Sequence, residues 1–231
     1  MSTSQFRRRH QDINSIEIQT LTDKIQTTES ERLLGATIHQ NLKWGHYLLF
    51  DENSLVRQLH SRINAIKKIS KSSCFKTRLM IANGIFLSKL TYLIPLWGGC
   101  EKLIIRSLQK VQNIILRVVT KRNIFTPVRE MLTNCGWLSV HQLAGYHTLL
   151  LVHKIKHTGQ PLYLAEMFTS SFNYPTRFAG AGNIQAAGKS EVRLELSQQS
   201  FKFRAIRDWN KLPSQLKLET SSMLFKKKLK I

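Results

Sequence analysis

Between Lys102 and Val119, apolar residues return every three or four positions: Ile104, Leu108, Val111, Ile115 and Val118. At about 100° per residue they fall within one narrow arc, which is the pattern of a helix with a single buried stripe. The opposite arc carries Lys102, Arg106, Lys110 and Arg117, and the only acid nearby is Glu101, at the helix start. A merely solvated helix face usually mixes charges of both signs. One face is therefore expected to pack on a core and the other to present a row of cations, spaced to follow consecutive phosphates.

The same period recurs along much of the chain. Leu55, Leu59, Ile63, Ile66 and Ile69 predict a helix from about residue 52. Phe75, Leu79, Ala82, Phe86, Leu90 and Leu93 predict a second, ended by Pro95 and the pair Gly98–Gly99. After the helix from Lys102, Thr126–Pro127 reads as a cap and first helical position, with Gly136 as the stop. Ser139 caps a longer helix from Val140 to Lys156, with Gly159 and Pro161 beyond it. Phe201, Ala205 and Trp209 resume helical spacing up to Pro213, and a last helix runs from about Ser221 into the lysine-rich tail. Strand signals are few. Residues 16–19 alternate, and the run from Leu33 to Ile38 is expected to pair with them as a hairpin. Residues 169–190 read as a long loop, and Val192, Leu194 and Leu196 as a strand. The expected fold is mostly α: a helical bundle with a small N-terminal β-hairpin and a short C-terminal α+β segment. Its divisions are expected at residues 1–50, 51–168 and 169–231.

Charge narrows the partner. The chain has 35 Lys and Arg against 14 Asp and Glu, a net charge of +21. That excess attracts polyanions, of which nucleic acid is the commonest. It is unevenly placed: residues 1–50 hold six bases and five acids, whereas residues 51–120 hold twelve bases and three acids. Lys67, Lys68 and Lys71, at the end of the first helix, and Lys226, Lys227 and Lys228, in the tail, join the row from Lys102 as candidate phosphate contacts. A 42% apolar content supports a core and argues against wholesale disorder. No apolar run approaches the ~20 residues that span a bilayer, so no membrane association is expected. The polar start with Arg7, Arg8 and Arg9 does not read as a secretory signal. Cys74, Cys100 and Cys135 are odd in number and lack metal spacing, so reduced thiols and a cytoplasmic or nuclear location are expected.

The residues of known chemistries are not assembled in the sequence. Asp51–Glu52 is the only adjacent acid pair, and it reads as charge at a helix start rather than a metal site. There is no glycine-rich phosphate loop and no nucleophile elbow. His153 and His157 are four apart on a helix, but Lys154, Ile155 and Lys156 lie between them, with no Glu to act as base and two ammonium groups opposing a dication. No catalytic residue, metal or cofactor is expected.

Several segments resemble, in order, the C-terminal part of non-LTR retrotransposon reverse transcriptases of the jockey-like and related long interspersed elements. Leu33-Leu34-Gly35-Ala36-Thr37-Ile38, followed by Leu42-Lys43-Trp44, is similar to the segment closing the palm. Arg62-Ile63-Asn64-Ala65-Ile66 resembles the helix that follows, and Ser88-Lys89-Leu90-Thr91-Tyr92 with Trp97-Gly98 resembles the next pattern. Leu108-Gln109-Lys110-Val111-Gln112-Asn113 with Arg117, then Gly136-Trp137-Leu138, Pro161-Leu162-Tyr163-Leu164 and Thr176-Arg177, continue the series. Phe201, Ala205, Trp209-Asn210, Leu212-Pro213 and Phe225-Lys226 resemble its close. The resemblance runs from about residue 29 to the end. It implies the end of a palm, a helical thumb and a C-terminal region, with Leu34 and Gly35 near a primer-gripping hairpin. It implies RNA or an RNA–DNA hybrid as partner, with the missing palm and fingers of the polymerase as a second one. The family's Tyr/Phe-x-Asp-Asp box has no counterpart here, so binding without polymerisation is expected. The alternative is a protein–protein interaction module, which Trp97, Trp137 and Trp209 could anchor, although a place in the buried core is expected for each.

Overall fold

The computed structural model describes residues 18–19, 24–25, 28–169, 182–186 and 195–230. The fold is mostly α-helical, with small antiparallel β pairs before and after the main helices. The N-terminal pairing differs from the sequence expectation. β1 (Ile18–Gln19) pairs with β2 (Lys24–Ile25), and β3 (Ser30–Leu33) pairs with β4 (Ala36–His39). The run from Leu33 to Ile38 is thus not one strand. It bends at Leu34 and Gly35, both at positive φ (49° and 79°), the geometry of a two-residue hairpin turn. Gly35 takes that conformation without steric cost, and closing a two-residue loop needs less chain entropy than pairing back to residues 16–19.

A single wide turn, His46–Phe50, buries Tyr47 and Leu48 and leads to α1 (Leu55–Ser70). α1 buries Leu55, Leu59, Ile63 and Ile66 as its spacing predicts, whereas Ile69, in the last turn, is exposed. α2 (Phe75–Ala82) continues through a widened turn, Asn83–Leu87, into α3 (Ser88–Thr91). The buried face here is Arg78, Ala82, Phe86 and Leu90, and Phe75 is exposed. A repeat of four overshoots the 3.6-residue turn; the widened turn absorbs the difference and keeps these residues on one face. The helix ends at Thr91, ahead of Pro95, because Pro95 has no N–H to continue the ladder. Leu93 turns left-handed (φ 55°) and Pro95 sits in the first turn of α4 (Ile94–Trp97). Gly98 and Gly99 then allow close packing. A Cβ on Gly98 would lie 2.5 Å from Ala144 Cβ, and one on Gly99 2.2 Å from Gln199 O.

α5 (Lys102–Thr120) is the central helix, packed against α1, α2, α6 (Val128–Cys135) and α7 (Val140–Thr158). Its buried face takes in Gln112, Leu116 and Val119 besides Ile104, Leu108, Val111 and Ile115, whereas Val118 of the expected stripe is only half-buried. α6 starts one residue later than Pro127, and the Thr126 hydroxyl is held by Asn123 Oδ1 (3.1 Å) rather than capping the helix. α7 begins with a reciprocal cap between Ser139 and Gln142 and ends at Gly159 in the left-handed conformation.

Two hydrophobic clusters result. The larger runs from Ala36 and α1 through α5 to Ala144; the smaller gathers Leu149 and Val152 of α7 with Ile184, Ala205, Trp209 and Phe225. α7 contributes to both. The remaining elements are α8 (Leu162–Ala165), β5 (Phe168–Thr169) paired with β6 (Gln185–Ala186), α9 (Glu195–Gln199), α10 (Phe201–Asn210), α11 (Ser214–Lys217) and α12 (Ser222–Leu229), of which β5, α10, α11 and α12 supply residues to the smaller cluster. Leu196 therefore lies in a helix rather than in the expected strand, whose other residues, Val192 and Leu194, fall outside the described residues. So does most of the loop expected over 169–190, including Thr176 and Arg177. Buried Arg204 of α10 joins the two clusters, donating to Pro95 O and to Thr148 Oγ1 (3.0 Å).

Candidate nucleic-acid interface

Lys102, Arg106 and Lys110 lie exposed on the outer side of α5. They follow one another at one-turn intervals, about 6 Å of helix rise. Among the described residues none of the three has an ion pair or a side-chain hydrogen bond. Among the described residues no carboxylate forms an ion pair with these three cationic groups.

Arg117 does not continue the row. It is only part-exposed, and its guanidinium donates to Asn113 O (3.1 Å) and Ile124 O (3.3 Å). Its Nε is buried with no hydrogen-bond partner. The chain beyond α5 folds back over Arg117 and takes one of its donors through Ile124 O, while another stays within α5 at Asn113 O, an effect of tertiary structure that periodicity does not encode.

Lys67, Lys68 and Lys71 are exposed at the end of α1. This end meets the end of α5: Lys121 Nζ reaches Lys71 O at 3.5 Å, and buried Arg78 donates through Nε to Val119 O (2.8 Å) and also to Ser73 O. Lys121 and Arg122, both exposed, thus join Lys67, Lys68 and Lys71 at one end of the bundle. The sequence reading missed these two because they follow the helix instead of lying on its face. In the tail, Lys226 and Lys227 are exposed, but Lys228 is paired with Glu219 at 2.6 Å. That bond holds the Glu219 carboxyl below its usual range. Lys226 and Lys227 have no ion pair among the described residues.

Leu34 and Gly35 form the tip of the β3–β4 hairpin, with Leu34 78% exposed. Tyr92 donates its hydroxyl to Leu34 O (2.5 Å), which fixes the tip against the end of α3. Lys89 lies over the Tyr92 ring at 5.6 Å, and burial together with Arg62 and Arg32 lowers its pKa. Sequence reading places Arg62 and Lys89 in separate motif segments and does not group them with Arg32, because the three are far apart along the chain.

Several other motif residues hold the fold, whereas Leu162 and Tyr163 are exposed. Gln112 is fully buried; its Nε2 donates to Leu138 O and its Oε1 accepts from Gln109 Nε2, both at 2.9 Å. Gln109 also accepts from Val140 N and donates to Asn113 Oδ1, again at 2.9 Å. This network ties α5 to the turn before α7. Trp137 donates to Asn83 Oδ1 (2.8 Å) and stacks on Phe86. Trp97 donates to Tyr92 O (2.8 Å) and Trp209 to Gly182 O (2.9 Å). Asn210 bonds both backbone groups of Ile184. All three tryptophans are buried, so they are not available as interface anchors.

His153 and His157 do face each other, with ring centroids 4.3 Å apart, but His153 Nε2 is engaged with Glu219 O (2.8 Å) and the ring stacks on Phe225. Among the described residues no three His, Cys, Asp or Glu side chains are grouped to hold a metal ion. Nor is any helix long and apolar enough to cross a membrane. Comparisons of the chain with protein-family models, curated proteins and solved structures found no match.

Proposed function

We propose that this chain is a binding module, similar to the thumb of a retroelement reverse transcriptase, that holds RNA or an RNA–DNA hybrid along the outer face of α5. The observation that carries the reading is the row Lys102, Arg106 and Lys110, exposed at one-turn spacing with no partner among the described residues. Positive groups that neither pair nor pack hold the face open to a polyanion, and releasing the counterions of that polyanion drives binding. The cations at the ends of α1 and α5 extend the basic surface. The module is assigned binding and no catalytic step, because the acids that polymerisation by two metals would need are not clustered in the sequence. Contacts of this kind read backbone rather than bases, so sequence preference should be weak.

The test compares two triple variants of the full chain on an RNA–DNA hybrid across a salt series. K102Q/R106Q/K110Q removes the row; K211Q/K226Q/K227Q removes equal charge from exposed positions in the C-terminal region. Each lost phosphate contact flattens the plot of log affinity against log salt by about 0.7–0.9, so the first variant should lose roughly two to three units of slope. The second should lose clearly less. Equal slopes in the two variants would reduce the interaction to diffuse electrostatics, and salt-independent binding by the parent chain would remove the reading altogether.

A further inference from the structure

The loop that takes one of the donors of Arg117 has a shape of its own. Asn123 Oδ1 accepts from Phe125 N (3.2 Å), Thr126 N (3.2 Å) and Thr126 Oγ1 (3.1 Å), and Arg117 clamps Ile124 O. The backbone is thereby fastened on both sides of a tip whose side chains face solvent: Ile124 is 74% exposed and Phe125 89%. Phe125 is the most exposed large apolar side chain among the described residues. The pair forms a small apolar surface held in place by its own loop and open to a partner.

The surroundings indicate what would cover it. Arg117 belongs to the same arc of α5 as Lys102, Arg106 and Lys110, so the loop that it clamps crosses the far end of that row. Lys121 and Arg122 immediately precede the tip, and Lys71 is beside Lys121. From Asn53 to Arg129 the chain has a single carboxylate, Glu101, at the opposite end of α5. An apolar or acidic protein surface would have to desolvate these cations or match them one by one. A nucleic acid offers both complements together, phosphates for the cations and the flat face of a base for the ring, and base–aromatic stacking tolerates any sequence.

We infer that Phe125, with Ile124 beside it, stacks on an unpaired base of the nucleic acid whose phosphates lie along Lys102, Arg106 and Lys110. The inference rests on the binding face proposed above and adds the place where the duplex ends or opens. A strand that follows the row runs into the tip, where a paired base offers only its edge and an unpaired base offers its face.

The experiment uses the full chain, an RNA–DNA hybrid with a short single-stranded overhang carrying 2-aminopurine, the same hybrid without the overhang, and heparin as a polyanion without bases. F125A should weaken binding to the overhang by roughly five- to 150-fold, the range for loss of one stacked base, and abolish the fluorescence change of 2-aminopurine. It should leave the salt slope, the overhang-free hybrid and heparin unchanged. F125W should bind as the parent does. F125L, which keeps the apolar bulk and loses the π face, should behave like F125A and guards against a folding artefact. Retention of overhang binding and of the fluorescence change by F125A overturns the inference, as does full binding by F125L. Loss of binding to anionic phospholipid vesicles in F125A, with no effect on RNA, would assign the tip to a membrane surface instead. If F125A is silent while K102Q/R106Q/K110Q weakens binding, the stacking role fails and the phosphate face stands. If the parent chain binds none of the nucleic acids, both fail.

Discussion

Gln112 separates a residue that serves the fold from one that serves a ligand, since it belongs to the Leu108–Asn113 pattern on which the resemblance rests. Its side chain has no solvent exposure and spends its amide on Leu138 O and Gln109 Nε2. Q112L keeps much of the volume and removes both bonds, each with a net contribution of about 1 kcal/mol. Leu138 O also loses its donor, which costs about 1–3 kcal/mol if water does not reach it; the better burial of leucine offsets part of this. The expected loss is roughly 1–3 kcal/mol, a drop of about 2–12 °C in Tm for a chain of this size. Q112A adds a cavity and should cost a further ~2–5 kcal/mol. Because Gln109 is the direct partner, Q109L and Q112L should not be additive, with a coupling of about 0.5–3 kcal/mol in a double-mutant cycle. Urea denaturation followed by circular dichroism measures all four proteins, and affinity for the RNA–DNA hybrid is measured under native conditions. A Q112L protein as stable as the parent but defective in binding would refute the structural role and return Gln112 to the ligand surface.

Histidine titration provides a second check. Burial pushes the pKa of His153 down, against the bond to Glu219 O, and burial with Lys230 does the same to His147. A base whose pKa is lower in the folded state than in the unfolded chain binds protons preferentially when unfolded. Stability should therefore be complete above the unfolded-state pKa of about 6.5 and fall as pH drops below it; urea midpoints at pH 7.5 and 5.5 should differ more for the parent than for H147Q/H153Q, and equal differences would contradict it. Thiol chemistry offers a third. Burial pushes Cys100 up to about 12 and Cys135 up to about 11, whereas hydrogen bonding to Thr77 lowers exposed Cys74. Iodoacetamide at neutral pH should modify Cys74 first, as peptide mapping would show; faster labelling of Cys100 or Cys135 would mean that the core opens readily.

Most helices were legible because their signals are local. Ser139 as a cap, Gly136 and Gly159 as stops, and the apolar period of α1 and α5 all act within a few residues of where they are read. The errors have equally definite causes. The Leu33–Ile38 run was read as one strand, because the turn at Leu34–Gly35 is set by backbone conformation and leaves no break in hydrophobicity. Leu196 continued an alternating pattern that yields to helix in α9. Arg78 and Gln112, polar residues in apolar stripes, are buried because acceptors on distant segments, Val119 O and Leu138 O, meet them there.

By itself the sequence determined the helical class, the position of the central helix and the sign of the charge on its outer face, since periodicity and composition fix which side of a helix can be buried. Tertiary structure alone decided which cations remain free. Among the described residues Lys102, Arg106 and Lys110 have no partner, Arg117 is met by the returning chain, Lys228 by Glu219, and Lys121 is brought to the end of α1 fifty residues away in sequence. A charge becomes a contact only if no nearer partner claims it, and that partner is chosen by chain segments meeting in space, which neighbouring residues along the sequence do not record.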